Sequence, residues 1–345
     1  MDMKNEMNAV GFYEGLPIED EDCFIDLRVA IPEIRPHDVL VHVQAVSVNP
    51  VDTKLRQTSP KQEKFTILGF DAVGYVERIG TEVTEVSIGD RVFYSGTTTR
   101  SGSNQDYQAV DSRIIAKAPV SLLPEEAAAL PLTSLTAYEL LFEKFELIPE
   151  KEANTGNKLL IINGAGGVGS VMSQLATWAG LDVIATASPK NFNWLNEHGV
   201  THAIDYHGDL KKELNKIGID RVEYLAVLHD IVPYMPQLGE LIQPFGHIGT
   251  IVGTNQSLEI GQWKNQSISF DWEYMFAKTD YHYKIETQGE ILTKISKLVD
   301  EGQLQTTVTK VYKEGLNAQA IRKATKDVET GHMVGKVVVC AVEEN

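Results

Sequence analysis

The chain has 345 residues, 43% of them apolar and 23% charged, which is typical of a globular protein with room for two domains. Its 31 Lys and Arg residues against 48 Asp and Glu give a formal net charge of −17, which opposes binding to nucleic acid and to anionic membrane surfaces. No apolar run approaches the roughly 18 residues of a membrane span. The N-terminal sequence resembles no signal or transit peptide, and only two cysteines are present. We therefore expect a cytoplasmic protein without disulfide bonds.

The first third of the chain predicts a β-rich domain. Residues 39–48 alternate between apolar and polar side chains with a period of two, which is typical of a half-buried strand. Residues 72–79 and 91–94 are further short strands, and Gly89-Asp90 is a turn between them. An all-β domain is expected over residues 1–128.

A glycine-rich loop near the middle of the chain predicts a nucleotide-binding site. The apolar strand 158–162 is followed by glycines at G-x-G-x-x-G spacing and then by a helix that ends at Gly180. Such glycines allow a sharp turn and a close approach of phosphate to the backbone, and the helix N-terminus offers N–H groups to the anion. The residues expected to bind the cofactor here are Gly164, Gly166, Gly167, Val168 and Gly169. The alternative is a tight turn without a ligand.

Strands and helices then alternate, which predicts a doubly wound parallel sheet over residues 129–284. The expected strands are 181–187, 203–206, 222–228 and 247–252, and the expected helices are 191–198 and 237–243. The last part of the chain predicts two helices, 290–299 and 318–328, and two strands, 305–312 and 336–342. These elements are too few for a third domain, so residues 285–345 are expected to complete the first one.

The end of the second strand indicates which cofactor is preferred. NAD-binding proteins usually carry an acidic residue there, about 20 residues after the glycines. In this chain Asp182 lies at the start of the strand, and Ser188 and Lys190 follow its end. A hydroxyl and a cation suit a 2′-phosphate, so NADPH is the expected cofactor. The alternative is that Lys190 is an ordinary solvated lysine.

Taken in chain order, several motifs resemble those of the medium-chain dehydrogenase/reductase superfamily. They are Asn49-Pro-Val-Asp52-Thr-Lys54-Leu-Arg56, Gly69-Phe-Asp71-Ala-Val-Gly74, Val86-x-x-Gly89-Asp90-Arg-Val, Ala127-Ala-Ala-Leu-Pro131, Leu135-Thr136-Ala137-Tyr138 and Gly164-Ala-Gly-Gly-Val-Gly169. Within the superfamily the chain is similar to the zinc-free quinone oxidoreductase (zeta-crystallin-like) branch, whose members are often labelled zinc-type alcohol dehydrogenase-like. The resemblance implies an α/β protein with a GroES-like β domain and a Rossmann domain. It also implies NADPH-dependent reduction of quinones or α,β-unsaturated carbonyls, and a homodimer.

The zinc ligands of related dehydrogenases are replaced in this sequence. Zinc-bearing relatives place a cysteine at the position of Asn49, a Gly-His-Glu at Gly69-Phe70-Asp71, and a Cys or His at about Leu132. Zinc requires clustered nitrogen and sulfur ligands, and nine scattered histidines with two distant cysteines do not provide them. We therefore expect no metal.

The resemblance also indicates residues of the reaction site. It places Asn49 and Thr136 near the nicotinamide carboxamide and the substrate carbonyl, with Thr136 also counted among the cofactor-binding residues. Lys54 occupies a position where several quinone reductases have tyrosine. The alternatives are that Asn49 caps a turn, that Thr136 is an ordinary helix N-terminal residue and that Lys54 is solvated. Tyr94 and Arg100 are further candidates.

Three functions remain open from the sequence. The first is reduction of quinones or enones by hydride transfer, without a metal. The second is a protein that binds NADP(H) in a structural or regulatory role with little turnover, because a fold does not dictate chemistry. The third, a zinc alcohol dehydrogenase, is opposed by the replaced ligands. The aromatic stretch 270–276 has two interpretations: part of an apolar substrate pocket, or a strip in the core or at the dimer interface.

Overall fold

The computed structural model describes residues 6–342, and the chain forms two compact units. Within the described residues, the first unit comprises the chain up to Leu132, then Phe276–Gly302, and the chain from Thr306 onward. The second unit comprises Thr133–Met275 with Gln303–Gln305. The divisions expected at 128 and 284 differ by several residues from these. One reason is that the Phe276 ring lies 4.7 Å from that of Phe70, which ties the start of the returning segment to the first unit.

The N-terminal part of the first unit is rich in strands. Its elements are β1 (Glu6–Gly11), β2 (Ile25–Ala30), β3 (Asp38–Val48), α1 (Pro50–Thr58), β4 (Asp71–Ile79), β5 (Arg91–Ser95), β6 (Tyr107–Asp111), β7 (Ile115–Lys117) and α2 (Pro124–Ala128). Most residues of strand β3 are buried, and five of its valines belong to one apolar core: Val39, Val41, Val43, Val46 and Val48. Proline at the first position of α1 is compatible with a helix start, since the N–H it lacks has no intrahelical partner there.

The second unit alternates strands and helices as the sequence predicts. Its elements are α3 (Pro131–Tyr138, whose first two residues belong to the first unit), β8 (Lys158–Ile162), α4 (Gly167–Trp178), β9 (Asp182–Ala187), α5 (Phe192–Glu197), β10 (His202–Asp205), α6 (Leu210–Lys216), β11 (Val222–Val227), α7 (Met235–Leu241), β12 (Ile242–Thr250) and β13 (Ser269–Trp272). The strands form one parallel sheet in the order β10-β9-β8-β11-β12-β13. This is the Rossmann order, and the chain reverses direction across the sheet between β8 and β11.

Strand β13 was not expected from the sequence. It lies at the sheet edge and overlaps the stretch 270–276; the partly buried Phe270 packs against the core, while Trp272 is 43% exposed. Only pairing with β12, in which Ile248 lies opposite Phe270, makes these four residues a strand. Strand β12 also begins earlier than the expected 247, since α7 ends at Leu241.

The C-terminal part of the chain returns to the first unit. It adds α8 (Phe276–Asp280), α9 (Glu286–Asp300), β14 (Val308–Tyr312), α10 (Ala318–Glu329) and β15 (Lys336–Cys340). Strand β15 pairs antiparallel with β3, in the register Val338 to Ser47, and so completes the sheet β14-β15-β3-β4-β5-β7, with β6 also paired to β3. The unit is therefore the GroES-like domain that the sequence predicts. No helix within residues 6–342 is long and apolar enough to cross a membrane.

Candidate active site

The glycine loop of the second unit is closed to larger side chains. A Cβ on Gly169 would lie 2.5 Å from the Asn163 carbonyl oxygen and 2.6 Å from that of Gly164. A Cβ on Gly164 would lie 2.6 Å from the Ala185 methyl group on the neighbouring strand. These contacts leave space for glycine alone, so strand, loop and helix pack closely.

The loop leads directly into the first turn of helix α4. Gly166 is the N-cap of this 12-residue helix, and Gly167, Val168 and Gly169 form its first turn. The N–H groups of a first turn have no carbonyl partner within the helix, and the helix dipole places positive charge there. The loop at the end of β8 therefore fits an anionic phosphate of a nucleotide cofactor, at the point where the sheet reverses direction.

The end of β9 lies beside this loop. The Gly164 N–H donates to the Thr186 carbonyl at 2.9 Å, and the Asn163 N–H donates to the Thr186 hydroxyl at 3.0 Å. Ser188 and Lys190 follow, on a short 3₁₀ turn, half-buried and exposed respectively. Asp182 pairs with Lys158 at the opposite end of the strands.

The neighbouring strand β10 ends directly before Tyr206, which the sequence pattern includes in the expected strand 203–206. Asp205, the last residue of β10, pairs with Ala187, so Tyr206 follows at the same sheet edge as Ser188. Its ring stacks on that of His207 with centroids 4.0 Å apart. Parallel strands end at the same edge of a sheet. The position of Tyr206 directly after its strand is therefore the sequence signal that could have placed it beside Ser188.

The other predicted site residues lie in different surroundings. Thr136 is buried in α3, in the second unit. Lys54 is exposed on α1, in the first unit. Tyr94 is fully buried and donates its hydroxyl to Gln108 at 2.9 Å, while Arg100 makes two bonds of 2.8 and 2.7 Å to the buried Asp38 carboxylate. Tyr94 and Arg100 are thus engaged in the packing of the first unit.

Asn49 belongs to a buried polar cluster in the first unit. The cluster consists of Asn49, Asp52, Asp71 and Lys336, each no more than 7% exposed. Strand β3 ends directly before Asn49, α1 carries Asp52, and the first residues of β4 and β15 are Asp71 and Lys336. Pairing of both β4 and β15 with β3 brings these residues together.

The Asp71 carboxylate accepts hydrogen bonds from several donors. Ser47 Oγ lies 2.6 Å and Asn49 Nδ2 2.8 Å from Oδ2, and the Leu132 N–H lies 2.7 Å from Oδ1. Lys336 Nζ lies 3.4 Å from Oδ2. The same ammonium donates to Asn49 Oδ1 at 2.5 Å and to the Val48 carbonyl at 3.0 Å.

Burial shifts the pKa values of two other charges in the cluster. Desolvation raises the pKa of Asp52 to about 7, although its carboxylate accepts the backbone N–H groups of Asn49 and Gly69. Desolvation lowers the pKa of Lys336, opposed by the negative charges of Asp71 and Asp52.

The positions that hold zinc in related dehydrogenases do not offer a zinc site here. Asn49 and Asp71 are hydrogen-bonded to each other and to an ammonium group, and Leu132 contributes a backbone N–H. A buried cation and hydrogen-bond donors do not coordinate zinc. Among residues 6–342, no three or more His, Cys, Asp and Glu side chains are grouped so as to hold a metal ion.

Comparisons with known proteins agree with this architecture. Residues 35–120 match the family model for the alcohol dehydrogenase GroES-like domain, and residues 198–339 match that for the zinc-binding dehydrogenase. A zinc-type alcohol dehydrogenase-like protein from Staphylococcus epidermidis is 40% identical over 96% of this chain and 99% of its own. The NADPH-dependent alkenal/one oxidoreductase of Arabidopsis thaliana chloroplasts is 27% identical over 91% of this chain and 75% of its own.

Solved structures show the same similarity. One described as that of a zinc-dependent alcohol dehydrogenase protein from Rhizobium etli has a TM-score of 0.92 at 36% identity, with 99% of both chains covered. The quinone oxidoreductase from Coxiella burnetii has a TM-score of 0.79 at 28% identity, covering 97% of this chain and 99% of that one.

Proposed function

Because this chain belongs to the zinc-type alcohol dehydrogenase-like proteins of the medium-chain dehydrogenase/reductase superfamily, a family of oxidoreductases that bind nicotinamide cofactors, we propose that it reduces quinones or α,β-unsaturated carbonyls with NADPH and without a metal. The observation that carries this proposal is the buried cluster, in which Lys336 donates to Asn49 where zinc-bearing relatives have a ligand. The names of the alkenal/one oxidoreductase and the quinone oxidoreductase support the substrate class.

The proposed chemistry rests on the donor set of the cluster, in which an ammonium group and hydrogen-bond donors stand where zinc would need ligands. An alcohol must lose its hydroxyl proton as hydride leaves, and zinc relatives assist that step with the metal. Bound NADPH supplies a hydride, and a conjugated carbonyl or a quinone accepts it readily. Loss of hydride from an alcohol is harder by comparison. The charge that develops on the substrate oxygen is met by hydrogen-bond donors, and water supplies the proton.

The proposed cofactor site is the glycine loop together with the ends of β9 and β10. The first turn of α4 binds the pyrophosphate through its N–H groups. Ser188 and Lys190 hold the 2′-phosphate, and Tyr206 lies at the same edge to add a hydroxyl. Asn49, Thr136 and Lys54 are proposed to contribute to the reaction, with Thr136 also contacting the cofactor.

Two measurements test this function. The first is oxidation of NADPH at 340 nm with a panel of quinones, enals and enones, for which we expect acceptor-dependent turnover. Tight NADPH binding with no turnover on any acceptor would instead support a structural or regulatory NADP(H)-binding protein.

The second measurement is elemental analysis of the purified protein, with activity assayed before and after incubation with a chelator. We expect less than stoichiometric zinc and unchanged activity. One tightly held zinc per chain, with activity lost on its removal, would show that the proposal of metal-free catalysis is wrong.

A further inference from the structure

The hydrogen bonds of Asn49 define which end of its amide faces which neighbour. An ammonium group can only donate, and a carboxylate oxygen can only accept. Lys336 Nζ lies 2.5 Å from the amide oxygen, and Asp71 Oδ2 lies 2.8 Å from the amide nitrogen. Rotating the amide by half a turn would bring donor against donor and acceptor against acceptor. Only one orientation of the Asn49 amide is therefore compatible with its neighbours.

This orientation uses both N–H bonds of the amide within the protein. One is directed at Asp71, and the Ser47 carbonyl lies 3.4 Å from the same nitrogen. The amide oxygen accepts one bond from Lys336, and an amide oxygen has two lone pairs. The capacity left to Asn49 is one acceptor position, and it has no donor to offer.

A substrate carbonyl that gains negative charge needs donors, and an additional acceptor oxygen beside it is repulsive. We infer that Lys336 and Asp71 are positioning residues, which hold the Asn49 amide in one orientation, with its nitrogen directed at Asp71 and its oxygen at Lys336, and leave it no N–H for a further acceptor. The donor to the substrate oxygen is then another group. The inference rests on the proposed function for its kinetic consequence, whereas the orientation of the amide is independent of turnover.

The design of the experiment must separate positioning from stability. Lys336→Met leaves the buried Asp71 carboxylate without its cation, which is costly for folding whatever the role of Lys336. The double variant Lys336→Met/Asp71→Asn removes both charges and is expected to recover much of the lost melting temperature. In this double variant the Asn49 amide oxygen still lacks the ammonium group that donates to it in the wild type. Lys310→Met is the matched control, because Lys310 lies on the adjacent strand β14 in a solvent-exposed ion pair with Asp327.

In the double variant we expect kcat to fall about tenfold while KM for NADPH stays within about twofold, as is common when a group that orients a functional side chain is lost. The single variant Lys336→Arg keeps a cation that can donate to Asn49. Its kcat is therefore expected to lie between that of the double variant and that of the wild type. The control is expected to match the wild type. A stable double variant with wild-type kcat would overturn the inference.

The amide is also observable directly. In protein labelled with ¹⁵N-asparagine, the side-chain NH₂ signals of Asn49 are identified by their absence in an Asn49→Ser variant. We expect them to exchange slowly with solvent in the wild type and faster in the double variant. Wild-type signals that exchange as fast as those of exposed asparagines would overturn the inference, even where no variant folds. If no acceptor is reduced at all, the proposed function fails, and these signals still decide whether Asn49 is held.

Discussion

Replacing Lys190 with alanine tests how the proposed 2′-phosphate site works. The substitution removes one cation from the turn after β9 and leaves the glycine loop intact. A hydrogen bond to a charged group contributes roughly 1.5–3 kcal/mol. Since Lys190 is exposed, solvent screening reduces this toward about 1 kcal/mol. At 1.4 kcal/mol per decade, the preference for NADPH over NADH is expected to fall about five- to tenfold.

The assay is steady-state kinetics with each cofactor at saturating acceptor. We expect Lys190→Ala to raise KM for NADPH and to leave KM for NADH nearly unchanged. The difference from wild type should shrink between 0.1 M and 1 M salt, because the screening length falls from about 10 Å to about 3 Å. Lys151→Ala is the control, because it removes the same charge at a different place. Lys151 is exposed and precedes β8, so it lies toward the opposite end of the sheet.

Two outcomes would refute the reasoning. One is a wild-type protein that prefers NADH, and the other is a Lys190→Ala variant that keeps its full preference for NADPH. Either would mean that the end of β9 does not hold a phosphate through this lysine.

Three further predictions follow from the geometry. Gly169→Ala places a Cβ against two carbonyl oxygens and should weaken NADPH binding by more than about tenfold, measured by calorimetry. Burial raises the pKa of Asp52 to about 7, above its unfolded value, so the folded protein binds more protons between about pH 4 and pH 7 and its stability falls across that range. Asp52→Asn should remove this loss, on the order of 4 kcal/mol, in denaturant titrations at several pH values. The edge strand β13, which has a strand neighbour on one side only within residues 6–342, should pair two chains into a homodimer, seen by light scattering.

Each of these has a control or a contrary outcome. Gly261→Ala, where a Cβ meets nothing within 4 Å, should leave NADPH affinity unchanged. A wild-type protein and an Asp52→Asn variant with parallel stability curves between pH 4 and pH 7 would show that Asp52 does not titrate in this range. A species of about the chain mass, 38.2 kDa, at micromolar concentration would contradict the dimer.

The sequence by itself determined the glycine loop and the alternation of strands and helices that follows it. Strand β8, the loop and α4 are consecutive, so their pattern of apolar residues and glycines is complete within about 20 residues. Local sequence patterns also predicted the division of the chain into an N-terminal β-rich part and a part in which strands and helices alternate. Element ends were less well determined: the strand expected to begin at 305 begins at Val308.

Only the tertiary structure decided the surroundings of Asn49. Lys336 begins a short apolar strand, and nothing in its neighbours along the chain indicates that its ammonium bonds to a side chain 287 positions earlier. That contact exists because β15 pairs with β3, and strand pairing depends on side-chain packing across the whole sheet. Strand β13 became recognisable for the same reason, through pairing with β12. Local patterns specify local elements, whereas a buried polar cluster built from four separate elements is specified only by the folded chain.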